Sequence, residues 1–315
     1  MIVSASRRTD IPAFYSDWFM KRIKEGYCFV KNPVNPKSVR RVSLKRGDVD
    51  AFVFWSKNPR PMFKNLGLLD EEGYKYIFLY TLNDYPKWLE PNMPNVSERV
   101  ETFINISERI GKERVSWRYD PIVLTKETFA DFHIERFGYL FDKLSDYTTK
   151  IIISFFKSYR FVINRMKRSL KENQQVLDYE KNMSEVRRLA SELGEFAKSK
   201  GIEIVSCAEV LDLNDTGILP GACIDGKYLE KIFRREFNTK KDTGQRKECR
   251  CSVSVDIGAY DTCVNKCVYC YASRRFNLSK KRYKEHNPEF NSITGWVDEG
   301  KISTKQKSPQ TKINF

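Results

Sequence analysis

Short apolar runs alternate along this chain with longer stretches of helical periodicity, the pattern expected of β–α units feeding a mainly parallel sheet. The strand candidates are residues 2–5, 51–55, 76–80, 114–117, 150–155, 202–206 and 252–257. Between them, Ser97 is placed to cap a helix on which Val100, Phe103, Ile104 and Ile110 share a face and which stops at Gly111. Ser184 opens a second helix, with Val186, Leu189, Leu193 and Ala197 on one side and Gly201 as its terminator. No internal repeat and no low-complexity linker interrupts the alternation, so one compact α/β domain over residues 1–272 is expected. Residues 273–315 are polar and poor in apolar periodicity, and read as an extension that wraps the domain or stays partly mobile.

Composition narrows the class. A length of 315 residues suits either two domains or a single α/β barrel, and 41% hydrophobic residues can supply a large core. No apolar run approaches the roughly 20 residues needed to cross a bilayer, and the N-terminal segment lacks the order of regions of a signal peptide. No membrane association and a cytoplasmic location are expected. The net charge of +15 favours anionic partners, nucleic acid among them, although a solvated lysine-rich surface explains charge equally well. Residues 271–315 alone contribute ten basic against four acidic residues. A second basic stretch holds Lys157, Arg160, Arg165, Lys167, Arg168 and Lys171.

In parallel α/β proteins, chemistry collects beyond the C-terminal ends of the strands. Those positions are polar here: Arg7, Arg8 and Asp10 after the first run, Lys57 after the second, and Arg118 and Asp120 after the fourth. Convergent charge of this kind suits a zwitterionic cofactor and an anionic substrate. The plainer alternatives are solvated turns beside Pro12, Pro59 and Pro121, and an Arg118–Asp120 pair. With only His133 and His286 in the chain, histidine-based acid–base catalysis is disfavoured, and His133 reads as a packed or surface residue.

The cysteines carry the sharper signal. The run Cys263-Val-Asn-Lys-Cys267-Val-Tyr-Cys270 spaces three thiols to hold three corners of a 4Fe-4S cube and leave its fourth iron open. A zinc knuckle closed by Cys251 is the competing use. Of the remaining five cysteines, Cys207, Cys223, Cys249 and Cys251 are candidates for a second iron–sulfur cluster or a structural zinc, and Cys28 for the ordinary core.

The C-x3-C-x2-C spacing, with Tyr269 before the last cysteine, resembles the radical S-adenosylmethionine enzymes. The resemblance implies a 4Fe-4S cluster on Cys263, Cys267 and Cys270, S-adenosylmethionine as cofactor, a 5′-deoxyadenosyl radical for hydrogen abstraction, and an electron donor such as ferredoxin or flavodoxin. It also implies that Tyr269, Tyr271 and Arg7 lie against the cofactor, that the other strand-end charges serve catalysis, and that the fold is a partial TIM barrel. Because the cysteine loop follows the last strand candidate rather than the first, the barrel looks circularly permuted, with residues 252–257 beside 2–5.

The segments Ser6-Arg-Arg-Thr-Asp-Ile-Pro-Ala-Phe-Tyr15, Phe54-Trp-Ser-Lys-Asn-Pro59, Trp117-Arg-Tyr-Asp-Pro-Ile122, Cys207-Ala-Glu209 and Asp256-Ile-Gly-Ala-Tyr260 together resemble a bacterial and archaeal family of unknown function that carries such a cluster at its C-terminus. The Lys57-Asn-Pro and Arg118-x-Asp-Pro-Ile elements are more loosely similar to the spore photoproduct lyase branch, which raises nucleic acid as a substrate. A zinc- or iron–sulfur-bearing nucleic-acid-binding protein without radical catalysis is the alternative.

Overall fold

In the computed structural model, which describes residues 1–35 and 37–299, eight strands form one all-parallel sheet. In chain order the strands are β1 (Ile2–Ala5), β2 (Tyr27–Lys31), β3 (Val39–Ser43), β4 (Ala51–Ser56), β5 (Tyr76–Thr81), β6 (Val115–Ile122), β7 (Lys150–Phe155), β8 (Glu203–Cys207), β9 (Leu219–Gly221) and β10 (Ser254–Asp256). The helices are α1 (Ile11–Phe14), α2 (Ser16–Glu25), α3 (Phe63–Glu71), α4 (Val96–Ile110), α5 (Ala130–Leu144), α6 (Arg160–Ser169), α7 (Met183–Ser199), α8 (Gly226–Phe233) and α9 (Phe276–Lys284). The sheet order is β10-β1-β4-β5-β6-β7-β8-β9, and β2 and β3 pair as a separate antiparallel hairpin.

Each expected strand is present. The last lies beside the first, with Ile2 opposite Ser254 and Ser4 opposite Asp256. Among the described residues the sheet is not a closed TIM barrel: β9 and β10 are the two ends of the order and do not pair. The sheet nevertheless has one helix-covered face. Val3, Phe52, Phe54, Phe78, Trp117 and Ile153 point into a core shared with apolar residues of α2, α3, α4, α5 and α7. The alternate residues Ile2, Val53, Leu79, Ile152 and Val205 form a smaller core with Leu229 of α8 and the segments around Cys223 and Cys251. The period of two along each strand assigns these faces, and burial on both sides explains why the strands read as continuous apolar runs.

Two helix starts differ from expectation. The residues preceding α4 and α7 are Asn95 and Asn182, so Ser97 and Ser184 lie inside the first turns; neither asparagine makes a side-chain capping bond. Gly111 and Gly201 do follow the helices, both with positive φ. The segment after Tyr271 is folded through residue 299. Trp18 Nε1 donates to the Phe290 carbonyl at 2.8 Å, and Arg282 donates to the Tyr260 carbonyl at 2.8 Å. Part of the basic extension, residues 300–315, lies outside the described residues. Among the described residues no helix is long and apolar enough to cross a membrane.

Candidate functional site

Parallel strands bring their C-terminal ends to one edge of the sheet, and there a cavity of about 410 Å³ opens. It is lined by Arg7, Arg8 and Asp10 after β1, Lys57 after β4, Arg118 and Asp120 of β6, and Asp256 at the end of β10. All seven candidate ligand cysteines line the same cavity, as do Tyr269 and Tyr271. The hairpin adds Lys31 and Arg40 to its wall.

Most strand-end charges are already paired. Arg8 holds Asp256 at 2.9 Å, and the Asp256 carboxylate also accepts from Ser4, Ser6 and the Arg7 and Gly258 N–H groups. Burial would raise its pKa, but Arg8, Arg7 and these donors leave it lowered. Gly258 permits the packing, since a Cβ there would lie 2.1 Å from Ser6 Oγ. Arg118 pairs with Asp120, whose other oxygen accepts from Ser154. Asp10 is a joint rather than a free acid. It accepts from Ser56 Oγ at 2.7 Å, from the Lys57 N–H at 2.9 Å, from Ala13 N at 3.2 Å and from Asn265 Nδ2 at 3.3 Å, so β1, β4, α1 and the cysteine loop meet on one carboxylate. Burial outweighs those donors and pushes its pKa up to about 6.

Two residues organise the site without having been among the candidate site residues. Glu90, 1% exposed, binds Lys57 Nζ at 2.8 Å, Arg99 at 3.4 Å and the Tyr269 hydroxyl. Lys57 and Tyr269 are thereby fixed as parts of one buried network. Asp256 is the other; its position at the end of the last strand candidate was the available signal. Glu90 lies in a loop with no periodicity to mark it.

The cysteine loop is held from several sides. Arg165 of α6 donates to three of its carbonyls, Val268 at 2.8 Å, Cys270 at 2.5 Å and Ser273 at 2.5 Å. Val268 N–H donates to Leu89 O at 2.9 Å, Asn92 donates to Val264 O at 2.8 Å, and the Tyr15 hydroxyl donates to Thr262 O at 2.7 Å. Arg165 therefore serves the loop rather than an exposed basic surface. Lys266, within the loop, has φ +56°, a left-handed conformation unusual outside glycine. Burial raises the Cys263 thiol, opposed by N–H donation from Asn265 and Asp10, and burial raises Cys267, opposed by Lys57. Ala272 N–H donates to Cys270 Sγ at 3.3 Å.

Across the cavity, Cys207 and Cys223 place their sulfurs 2.9 Å apart. Cys251 Sγ accepts from the Ile224 N–H at 3.4 Å, and the neighbouring thiols favour its charged form, holding it well below the usual thiol range. Trp55 lines the same cavity, with Arg118 4.6 Å and Arg7 5.4 Å from its ring. Trp55 Nε1 and Arg118 Nε are buried donors with no partner among the described residues. Tyr271 donates to the Arg7 carbonyl at 3.1 Å.

Among the described residues no group of three or more His, Cys, Asp or Glu side chains stands ready to hold a metal ion. Sulfurs 2.9 Å apart are tighter than the roughly 3.8 Å edge of a tetrahedron with ~2.3 Å metal–sulfur bonds, so the thiols must part to admit one. Seven thiols line this one cavity together with the cationic side chains of Arg7, Arg118 and Arg246. His133 is fully buried against Tyr119 and the Val123 carbonyl, a packed residue, and Cys28 is core as expected. Glu209 accepts main-chain N–H groups of Phe155 and Val210.

An all-parallel α/β sheet with a cysteine-lined cavity at its strand ends defines the class. Residues 2–272 match the domain of unknown function DUF1848, and the chain belongs to that family. No curated protein matches it. Among solved structures, a candidate alpha-L-fucosidase from Bacteroides thetaiotaomicron VPI-5482 is similar at 11% identity over 77% of this chain and 85% of that one, with a TM-score of 0.27.

Proposed function

We propose that this protein is an iron–sulfur enzyme of the radical S-adenosylmethionine type, built on a partial, circularly permuted barrel, with an electron donor such as ferredoxin or flavodoxin. The observation that carries the reading is the loop of Cys263, Cys267 and Cys270 facing the strand-end cavity, braced by Arg165 and Asn92 and accompanied by unpartnered donors in the same cavity. These three cysteines would hold the cluster. When bound, the cluster and S-adenosylmethionine supply reductive cleavage of a carbon–sulfur bond and a radical that abstracts hydrogen.

The chain's own residues bind, orient and exclude water. Trp55 Nε1 and Arg118 Nε are unspent donors for a bound polar group, and Arg7 brings a positive charge to the same face of the cavity. Lys57 and Tyr269 are locked by Glu90, so they shape the wall without free movement. Arg7, Arg118, Arg246 and Lys157 line the cavity and suit an anionic substrate, nucleic acid being the first class to test. The test is production of 5′-deoxyadenosine from S-adenosylmethionine by anaerobically reconstituted protein. Turnover that survives Cys267→Ala would refute the assignment. DNA or RNA affinity falling steeply with salt would support the substrate class, and salt-independent affinity would contradict it.

A further inference from the structure

We infer that Cys207, Cys223, Cys249 and Cys251 form a separate metal centre, a four-thiolate tetrahedral site for one zinc ion that clasps the open seam of the sheet. The four residues come from three stretches of chain: Cys207 ends β8, Cys223 follows β9, and Cys249 and Cys251 lead into β10. β9 and β10 are the unpaired ends of the eight-strand order. Two thiols thus come from one side of the seam and two from the other, and they meet. Beside them the main chain crosses the seam by the Ser252 N–H to Ile224 carbonyl bond of 2.8 Å.

Size argues for one ion rather than a cube. The quartet is a contact cluster: two sulfurs lie 2.9 Å apart, and all four residues share one packed group and one cavity wall. Parting these sulfurs by less than about 1 Å reaches the edge of a zinc tetrahedron. The three loop cysteines, by contrast, make no sulfur–sulfur hydrogen bond among the described residues, as suits a larger object. Charge is also arranged for it. Four thiolates around a divalent ion leave two negative charges. Arg7, Arg118 and Arg246 line the same cavity as the four thiols. The Ile224 N–H donates to Cys251 Sγ at 3.4 Å, the kind of outer bond that orients a metal ligand. On binding, each metal–sulfur bond replaces a sulfur–hydrogen bond where a thiol is protonated, the protons leave to solvent, and no oxidation state changes.

The site stands independently of the loop cluster, and the experiment separates them. Iron and zinc are measured on the anaerobically purified full chain as wild type, as C249A/C251A, and as C263A/C267A/C270A. The expected result is about one zinc per chain in the wild type and in the loop variant, and loss of zinc in C249A/C251A. Should C249A/C251A fail to fold, the loop variant alone decides. Stripped and titrated with cobalt, it should show the intense long-wavelength bands of a four-thiolate tetrahedral site, and a zinc chelator should lower its unfolding midpoint by roughly 10 °C. Iron that follows the quartet, zinc indifferent to C249A/C251A, a Cys207–Cys223 disulfide in place of metal, or a loop variant that ignores the chelator would each overturn the clasp. Loop cysteines that take no iron while zinc stays on the quartet would refute the proposed function and leave the clasp standing.

Discussion

Replacing Glu90 by glutamine removes one negative charge from a site 1% exposed, where it faces Lys57 at 2.8 Å and Arg99 at 3.4 Å. The gross attraction is large: at an effective dielectric constant of about 20 each contact is on the order of 5 kcal/mol, most of it offset by the cost of burying three charges. Removing one member leaves the two cations buried without their counter-charge, and such losses cost about 3–5 kcal/mol. The amide also turns an N–H toward either Arg99 or Lys57, placing donor against donor. For a domain of 315 residues that free energy corresponds to a fall in midpoint of roughly 5–8 °C. The pH dependence has a definite sign. Burial alone would raise the Glu90 pKa, but Lys57 and Arg99 leave it lowered, so its contribution is present above the ordinary carboxylate range and is lost as pH falls below it. Urea unfolding of wild type and E90Q at neutral and acidic pH measures both effects. A variant within about 1 kcal/mol of wild type at neutral pH would refute the reasoning, because the network would then not depend on its acid.

Other consequences are equally concrete. Burial lowers the His133 pKa from 6.5 to about 4, so the unfolded chain takes up a proton that the folded one refuses; between pH 7 and 5 the wild type should lose about 2 kcal/mol through this group, a loss absent from H133Q in urea titrations. Gly258→Ala forces a Cβ to 2.1 Å from Ser6 Oγ and 2.8 Å from Thr9 Oγ1, and should cost at least about 2 kcal/mol by the same assay. Arg165→Met removes three bonds to the carbonyls of the cysteine loop, and iron bound per chain should fall by half or more while the circular dichroism stays near wild type.

The parallel sheet was legible because its strands are buried on both faces, which turns each into an unbroken apolar run such as Ile151-Ile-Ile153. β9 was not, since three residues containing Pro220 and Gly221 carry no strand pattern, and an edge position is where proline is tolerated. The hairpin escaped notice for a related reason: Arg40 and Arg41 are exposed, so β3 has little apolar alternation. Helix starts were misplaced because no side-chain cap marks them: Asn95 and Asn182 precede the helices without capping them, so neighbouring structure sets the start. The cavity was foreshadowed by polar residues at strand ends, yet their roles were not. Lys57, Arg8 and Asp10 are spent on Glu90, Asp256 and a four-donor joint, and apart from Ala13 these partners are distant in sequence, where no local spacing reveals them. The approach of the Cys223 segment to the Cys251 segment is equally non-local: the Ser252 N–H to Ile224 carbonyl and Ile224 N–H to Cys251 Sγ bonds join stretches at opposite ends of the sheet order.

The most direct test is electron paramagnetic resonance of the anaerobic, reduced protein before and after addition of S-adenosylmethionine. If Cys263, Cys267 and Cys270 hold a cluster with one iron free, wild type should show a cluster signal that shifts when the compound is added, and C267A should show neither signal nor shift. A signal that ignores the compound, or one that C267A retains unchanged, would contradict the account.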